Sequence, residues 1–117
     1  MSTDLVSATG LVEQLYAELE QKVRLLHPKD DFTQLEKAYR LAADAHKTQL
    51  RQSGEPYMVH PLQVTLILAD MQMDMVCLET GLLHDTVEDT SVSIDRIRKT
   101  FGEEVAGCVD GDRKSVV

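Results

Sequence analysis

The sequence predicts an all-α fold, a helical bundle, and three observations carry that prediction. Apolar residues recur at steps of three and four along nearly the whole chain. No segment shows the period-two alternation of a half-buried strand. Proline, glycine and short polar residues that start or stop helices fall between the periodic stretches.

Leu11, Leu15, Leu19, Val23 and Leu26 form the apolar stripe of an N-terminal packing helix that ends before Pro28. Phe32, Leu35, Tyr39, Ala42 and His46 repeat the pattern over a second helix, with Asp30 or Asp31 placed to cap it. His46 lies on that stripe and reads as a satisfied core or supporting histidine rather than a ligand. Ser53-Gly54-Glu55-Pro56 is the clearest loop, because Pro56 biases Glu55 away from helical backbone. A third helix is expected from Pro61 to about Met71, since proline at a first helical position lacks only an N–H that has no intrahelical partner. That places His60 at a helix entry. Leu62, Thr65, Leu66, Ala69 and Met73 make its buried side, and Met71, Met73 and Met75 read as gap-filling core at a helix junction.

Asp74 is placed to cap a fourth helix that carries Val76, Leu78, Leu82 and Leu83. Its interior Gly81 costs about 1 kcal/mol relative to alanine, and close packing against a neighbouring helix is the reason expected for it. Ser93 caps a short helix with Ile94, Ile97 and Phe101, Gly102 stops it, and Glu103 to Val109 make one more helical piece.

Composition bounds the function. At 117 residues and 43% hydrophobic the chain is one domain at most, and no run approaches the roughly 20 apolar residues of a membrane span. Met1 is followed by Ser2-Thr3-Asp4 and not by a signal-peptide pattern, so a cytoplasmic protein is expected. The net charge of −8 argues against general nucleic-acid binding, which needs accumulated Lys and Arg. It leaves room for a small anionic substrate. The stretch from His46 to Ser53 holds Lys47 and Arg51 without an acid, a local basic patch that could receive phosphates; a solvated helix end is the plainer account. Cys77 and Cys108 are too few for a disulfide framework and read as buried free thiols.

The run Gly81-Leu82-Leu83-His84-Asp85-Thr86-Val87-Glu88-Asp89-Thr90 concentrates the chemistry. An i, i+4 step puts Glu88 one turn above His84 and Asp89 one turn above Asp85, so four polar groups line one face. A solvated acidic helix end is the alternative, and it must also explain His60. Neutral imidazole with carboxylate suits divalent transition metals such as manganese, iron or zinc. A carboxylate that is not a ligand can accept a proton from water, and Glu88 is positioned for that role.

Ala38-Tyr39, Ala45-His46, Arg51 with Ser53-Gly54-Glu55-Pro56-Tyr57, His60-Pro61-Leu62, the His-Asp-x-x-Glu-Asp-Thr block, and Phe101-Gly102 with Val109-Asp110-Gly111 follow one another in a specific order. That series, from about Leu35 to Gly111, resembles the RelA/SpoT homologues, whose N-terminal hydrolase domain belongs to the HD metal-dependent phosphohydrolase superfamily. The resemblance implies an HD-type helical bundle, of which this chain holds the N-terminal part. It implies a manganese ion held by His60, His84 and Asp85, and Glu88 and Asp89 as the residues that activate water and shape the metal environment. It implies nucleotide contacts from Arg51 and Ser53, with Lys47 of the same basic patch, and removal of the 3′-pyrophosphate from ppGpp or pppGpp in the stringent response. Gln52 stands where a basic residue often precedes the serine, and the synthetase-only branch lacks the block that this chain keeps.

The family continues past Val-Asp-Gly through further helices, one carrying the last aspartate ligand, and nothing in this chain matches them. Residues 1–30 are therefore expected to be an N-terminal amphipathic helix and linker, 31–111 a partial HD hydrolase domain, and 112–117 a tail foreign to the family. Asp112-Arg113-Lys114-Ser115-Val116-Val117 is what one frame of a common sequencing adapter encodes, and an adapter origin is the expectation for it. The residues ahead of Leu35 suit long bifunctional members that add a GTP pyrophosphokinase domain. Two other functions compete: a non-catalytic regulatory or interaction module, and an HD phosphohydrolase for another nucleotide. Helices lost from a bundle uncover apolar faces, at about 25 cal/mol per Å2, so self-association of this chain is expected.

Overall fold

The computed structural model describes residues 3–47, 49–50, 52 and 54–114, with side chains described from residue 10 to residue 110 of that set. Six helices follow one another: α1 (Thr3–Leu26), α2 (Thr33–Ala45), α3 (Val59–Asp70), α4 (Met75–Asp89), α5 (Ile94–Phe101) and α6 (Glu103–Lys114). No strand occurs among the described residues, only an isolated bridge between Leu50 and Pro56, so the all-α expectation holds.

α4 is the centre of the bundle. It packs against α2, α3 and α6, while α1 covers α3 and α5 leans on α6. α4 meets its three partners with Leu78 and Leu82, one turn apart on one face, Leu83 beside them, and Gly81 against α3; the three leucines are fully buried. Leu19 and Val23 of α1, Leu35 and Ala42 of α2, Leu62 of α3, Ile97 of α5 and Val109 of α6 complete the core. The stacked rings of Tyr16 and Tyr39, 4.0 Å apart, tie α1 to α2. Leu26, expected on the stripe of α1, is partly exposed because the helix stops there.

Local chemistry explains most of the boundaries. Asp74 Oδ1 accepts the Cys77 N–H at 2.9 Å, and Ser93 Oγ accepts that of Arg96 at 3.2 Å. Gly102 ends α5 with φ +100°, a backbone that side-chain-bearing residues resist. Asp31 does its work one residue outside the cap position, which Phe32 holds, by accepting the Thr33 N–H at 2.9 Å.

Four expectations need correcting. α3 begins at Val59, not Pro61, because the carbonyls of Pro56 and Tyr57 accept the N–H groups of Val59 and His60 at 3.1 Å each. Pro61 is then the third helical residue, still within the turn that needs no donor. Met71 and Met73 are exposed, 62% and 36%, because the chain leaves α3 through a left-handed turn at Gln72 (φ +61°) that swings them out. Cys108 is exposed and Cys77 half-buried, not both buried. α6 runs on to Lys114; a single glycine such as Gly111 costs a helix about 1 kcal/mol, too little to stop one.

Gly81 meets its packing expectation directly. A Cβ there would lie 2.8 Å from Thr65 Oγ1 and 2.9 Å from Leu68 Cδ1, so α3 and α4 approach as closely as glycine permits. The Thr65 hydroxyl is fixed in turn, donating to the Pro61 carbonyl at 2.7 Å.

One buried acid went unnoticed in the sequence. Glu79 on α4 is only 5% exposed, and burial, then the charges of Asp74 and Glu104, push its carboxyl up to about 7. A folded-state value above the unfolded one favours the protonated native state. Its contribution is therefore full below about pH 4.5 and is lost as pH rises through 7. Glu79→Gln should remove that dependence: urea melts at pH 5 and pH 8 are expected to differ by about 2 kcal/mol less in the variant than in the parent chain.

Candidate metal centre

The last two turns of α4 and the first turn of α3 converge. The His60 imidazole reaches Asp85 with Nε2 3.6 Å from Oδ2, while His84 Nδ1 lies 3.2 Å from Asp85 Oδ1. Asp85 thus stands between two histidines from two helices. Gly81 makes this possible, because it lets α3 come close enough to α4 for His60 to arrive.

Among the described residues, His84, Asp85 and Glu88 place one ligand atom each within 4.8 Å of one another. Two donors on one ion at about 2.2 Å stand at most about 4.4 Å apart, so a small side-chain adjustment closes the set. Imidazole and carboxylate at that spacing fit a divalent transition metal. His60 would add a second imidazole through its contact with Asp85.

Glu88 and Asp89, expected to act together, are placed differently. Glu88 belongs to the cluster of possible ligands. Asp89 is engaged by the segment between α2 and α3: the Tyr57 hydroxyl donates to Oδ2 at 2.8 Å, and the Gln49 amide donates to the Asp89 carbonyl at 3.0 Å. Gln49 was not anticipated, and no local signal marks it; Tyr57 stood in the quoted loop motif without an assigned role.

His46 sits beneath this arrangement, 1% exposed. Because the Gln49 amide nitrogen is spent on Asp89, its Oε1 must accept, and His46 Nδ1 donates to it at 2.8 Å. His46 Nε2 then accepts from the Thr86 hydroxyl at 3.3 Å. Tyr57 stacks over the same imidazole, 4.7 Å between ring centres. His46 is accordingly a supporting residue.

Lys47, expected on a phosphate-receiving patch, lies 3.5 Å from Asp44 at the exposed end of α2, and is not among the groups that converge on Asp85. Arg51 and Ser53 lie outside the described residues. An open cavity of about 490 Å3 starts at His60, His84 and Asp85 and continues between α3, α4 and α6.

Comparison with known proteins matches residues 38–116 to the family model described as HD domain. The chain is 42% identical, over 86% of its length, to the "Bifunctional (p)ppGpp synthase/hydrolase SpoT" of Escherichia coli, of which it covers 14%. It is 49% identical over 75% of its length to the "GTP pyrophosphokinase" of Myxococcus xanthus, covering 12% of that protein. A "GTP pyrophosphokinase" of Streptomyces coelicolor is 51% identical over 69% of this chain, which spans 10% of that relative's length.

Proposed function

This chain belongs to the HD-domain family and carries the HD domain of the RelA/SpoT proteins, and from that premise we propose that its site removes the 3′-pyrophosphate of ppGpp or pppGpp with the help of manganese. The observation that carries the reading is the convergence of His60, His84 and Glu88 around Asp85, in a chain similar to a protein named as a (p)ppGpp hydrolase.

A pyrophosphate ester repels the hydroxide that must attack it. A manganese ion, when bound, supplies positive charge beside the phosphate and acidifies water. His60, His84 and Asp85 would hold it. Glu88 accepts the proton of the attacking water from the rim of the site, where it is exposed yet within 4.8 Å of its neighbours' ligand atoms. Asp89, whose carboxylate accepts from the Tyr57 hydroxyl, assists beside it. Water attacks the phosphorus next to the ribose, the bond to the ribose 3′ oxygen breaks, that oxygen takes up a proton to become a hydroxyl, and pyrophosphate departs. Lys47, Arg51 and Ser53 contact the nucleotide phosphates in this reading.

The proposal extends to the whole protein. Relatives that are GTP pyrophosphokinases or bifunctional enzymes support a parent that also synthesises the nucleotide. No helix of the described residues is long and apolar enough to cross a membrane, and a cytoplasmic place accords with a nucleotide substrate. Val64 and Ile67, exposed on α3, with exposed Met71 just past its end, support self-association of this chain.

The test is manganese-dependent release of pyrophosphate from ppGpp, by this chain and by a version extended through the following helices of its gene, with His84→Ala as control. Metal-dependent release that His84→Ala abolishes is the expected result. Release indifferent to His84→Ala, or none from either chain, refutes the assignment. Tyr57→Phe frees the Asp89 carboxylate and should lower kcat about 10-fold with little change in KM, as loss of an orienting hydrogen bond does.

A further inference from the structure

The cavity that opens at the candidate metal centre carries two groups for which the proposed hydrolysis has no use. Beyond His84 and Asp85 it is lined by Cys77 and Gly81 of α4, Leu68 of α3 and Cys108 of α6. These are the only two cysteines of the chain. Both stand on one wall, on helices that pack against each other.

Both thiols line the same cavity, and burial, then the charges of Asp74 and Cys108, raise the Cys77 thiol, so Cys108 lies near Cys77. Packed helix axes lie about 8–10 Å apart and each backbone has a radius of about 2.3 Å, leaving about 4–6 Å between facing Cα atoms. A disulfide spans that range. The open cavity of about 490 Å3 borders both side chains.

We propose that Cys77 and Cys108 form a paired-thiol modification site that a low-molecular-weight disulfide oxidises to an intramolecular disulfide. Cys108, exposed, is the entry thiol. As thiolate it attacks one sulfur of the small disulfide; that S–S bond breaks and one small thiol leaves, taking up the proton. Cys77, half-buried, then gives up its proton, attacks the Cys108 sulfur and expels the second small thiol. Two protein thiols are oxidised and one small disulfide is reduced to two thiols. The bridge fastens the helix that carries His84 and Asp85 to α6 along the wall of their cavity.

The experiment is incubation of the 117-residue chain with excess oxidised glutathione, read by intact mass, free-thiol count and peptide mapping. Both thiols should disappear together from a monomer, with one crosslinked peptide pair containing Cys77 and Cys108 and full recovery on reduction. Cys77→Ser should stop at a glutathione adduct on Cys108. A stable adduct on the unsubstituted chain, a crosslink between chains, or two thiols left free overturns the proposal. So does an equally fast bridge in denaturing urea, since the pairing is a property of the packed helices. None of these readouts involves hydrolysis, so the proposed activity and this site stand or fall separately.

Discussion

Asp85→Asn is expected to weaken manganese binding by at least about 100-fold, and hydrolysis of ppGpp with it, while leaving the helical bundle intact. The substitution keeps the shape of the side chain and removes its charge. Asp85 is the group both histidines meet, His60 at 3.6 Å and His84 at 3.2 Å, so no neighbour replaces what it gives up. Titration calorimetry with manganese reads the first effect, and circular dichroism on the same samples reads the second. Retained affinity in the variant would remove Asp85 from the ligand set and leave the approach of His60 and His84 to be explained otherwise.

The largest stability effect is expected at Gly81. Valine there forces a Cβ to within 3 Å of Thr65 Oγ1 and Leu68 Cδ1 and adds two methyl groups behind it, at a cost of about 2–3 kcal/mol. Alanine should cost less, about 1 kcal/mol, because its better helix propensity returns part of the strain. Thr65→Ala removes the nearer of the two clashing atoms, so in urea melts Gly81→Ala should be less damaging in that background than alone. Additive effects would mean that α3 and α4 are not in the contact described.

How legible all of this was depends on the range of the physics involved. Asp74, Ser93 and Gly102 act within four residues of themselves, and the helix ends they set follow from local chemistry. Gly81 announced a close approach by being glycine inside a helix, although it could not name Thr65 and Leu68 as the neighbours. The start of α3 depends on how Pro56 and Tyr57 are turned, which local pattern does not give, and nothing in the periodicity marks the left-handed Gln72 that puts Met71 and Met73 outside the core. At the site, helical spacing brings His84, Asp85 and Glu88 together. It does not separate Glu88 from Asp89, since neighbours about 100° apart on a helix can share a face or divide it. What divides them is contact with Gln49 and Tyr57, which come from far along the chain and leave no trace in local pattern.

The segment between α2 and α3 is built as an arch. One foot is His46 and Gln49, the other is Tyr57, and both rest on the final turns of α4 through Thr86 and Asp89. The Tyr57 N–H donates to the Gln49 carbonyl at 3.0 Å and closes the span at its base. An arch closed at its base can be rebuilt at its crown. On the proposed function, substitutions at the crown, such as at Gln52, would alter the grip on a nucleotide while the feet keep Asp89 where it is. A directed library confined to the crown is therefore the place to look for altered nucleotide preference with the contacts to Asp89 kept.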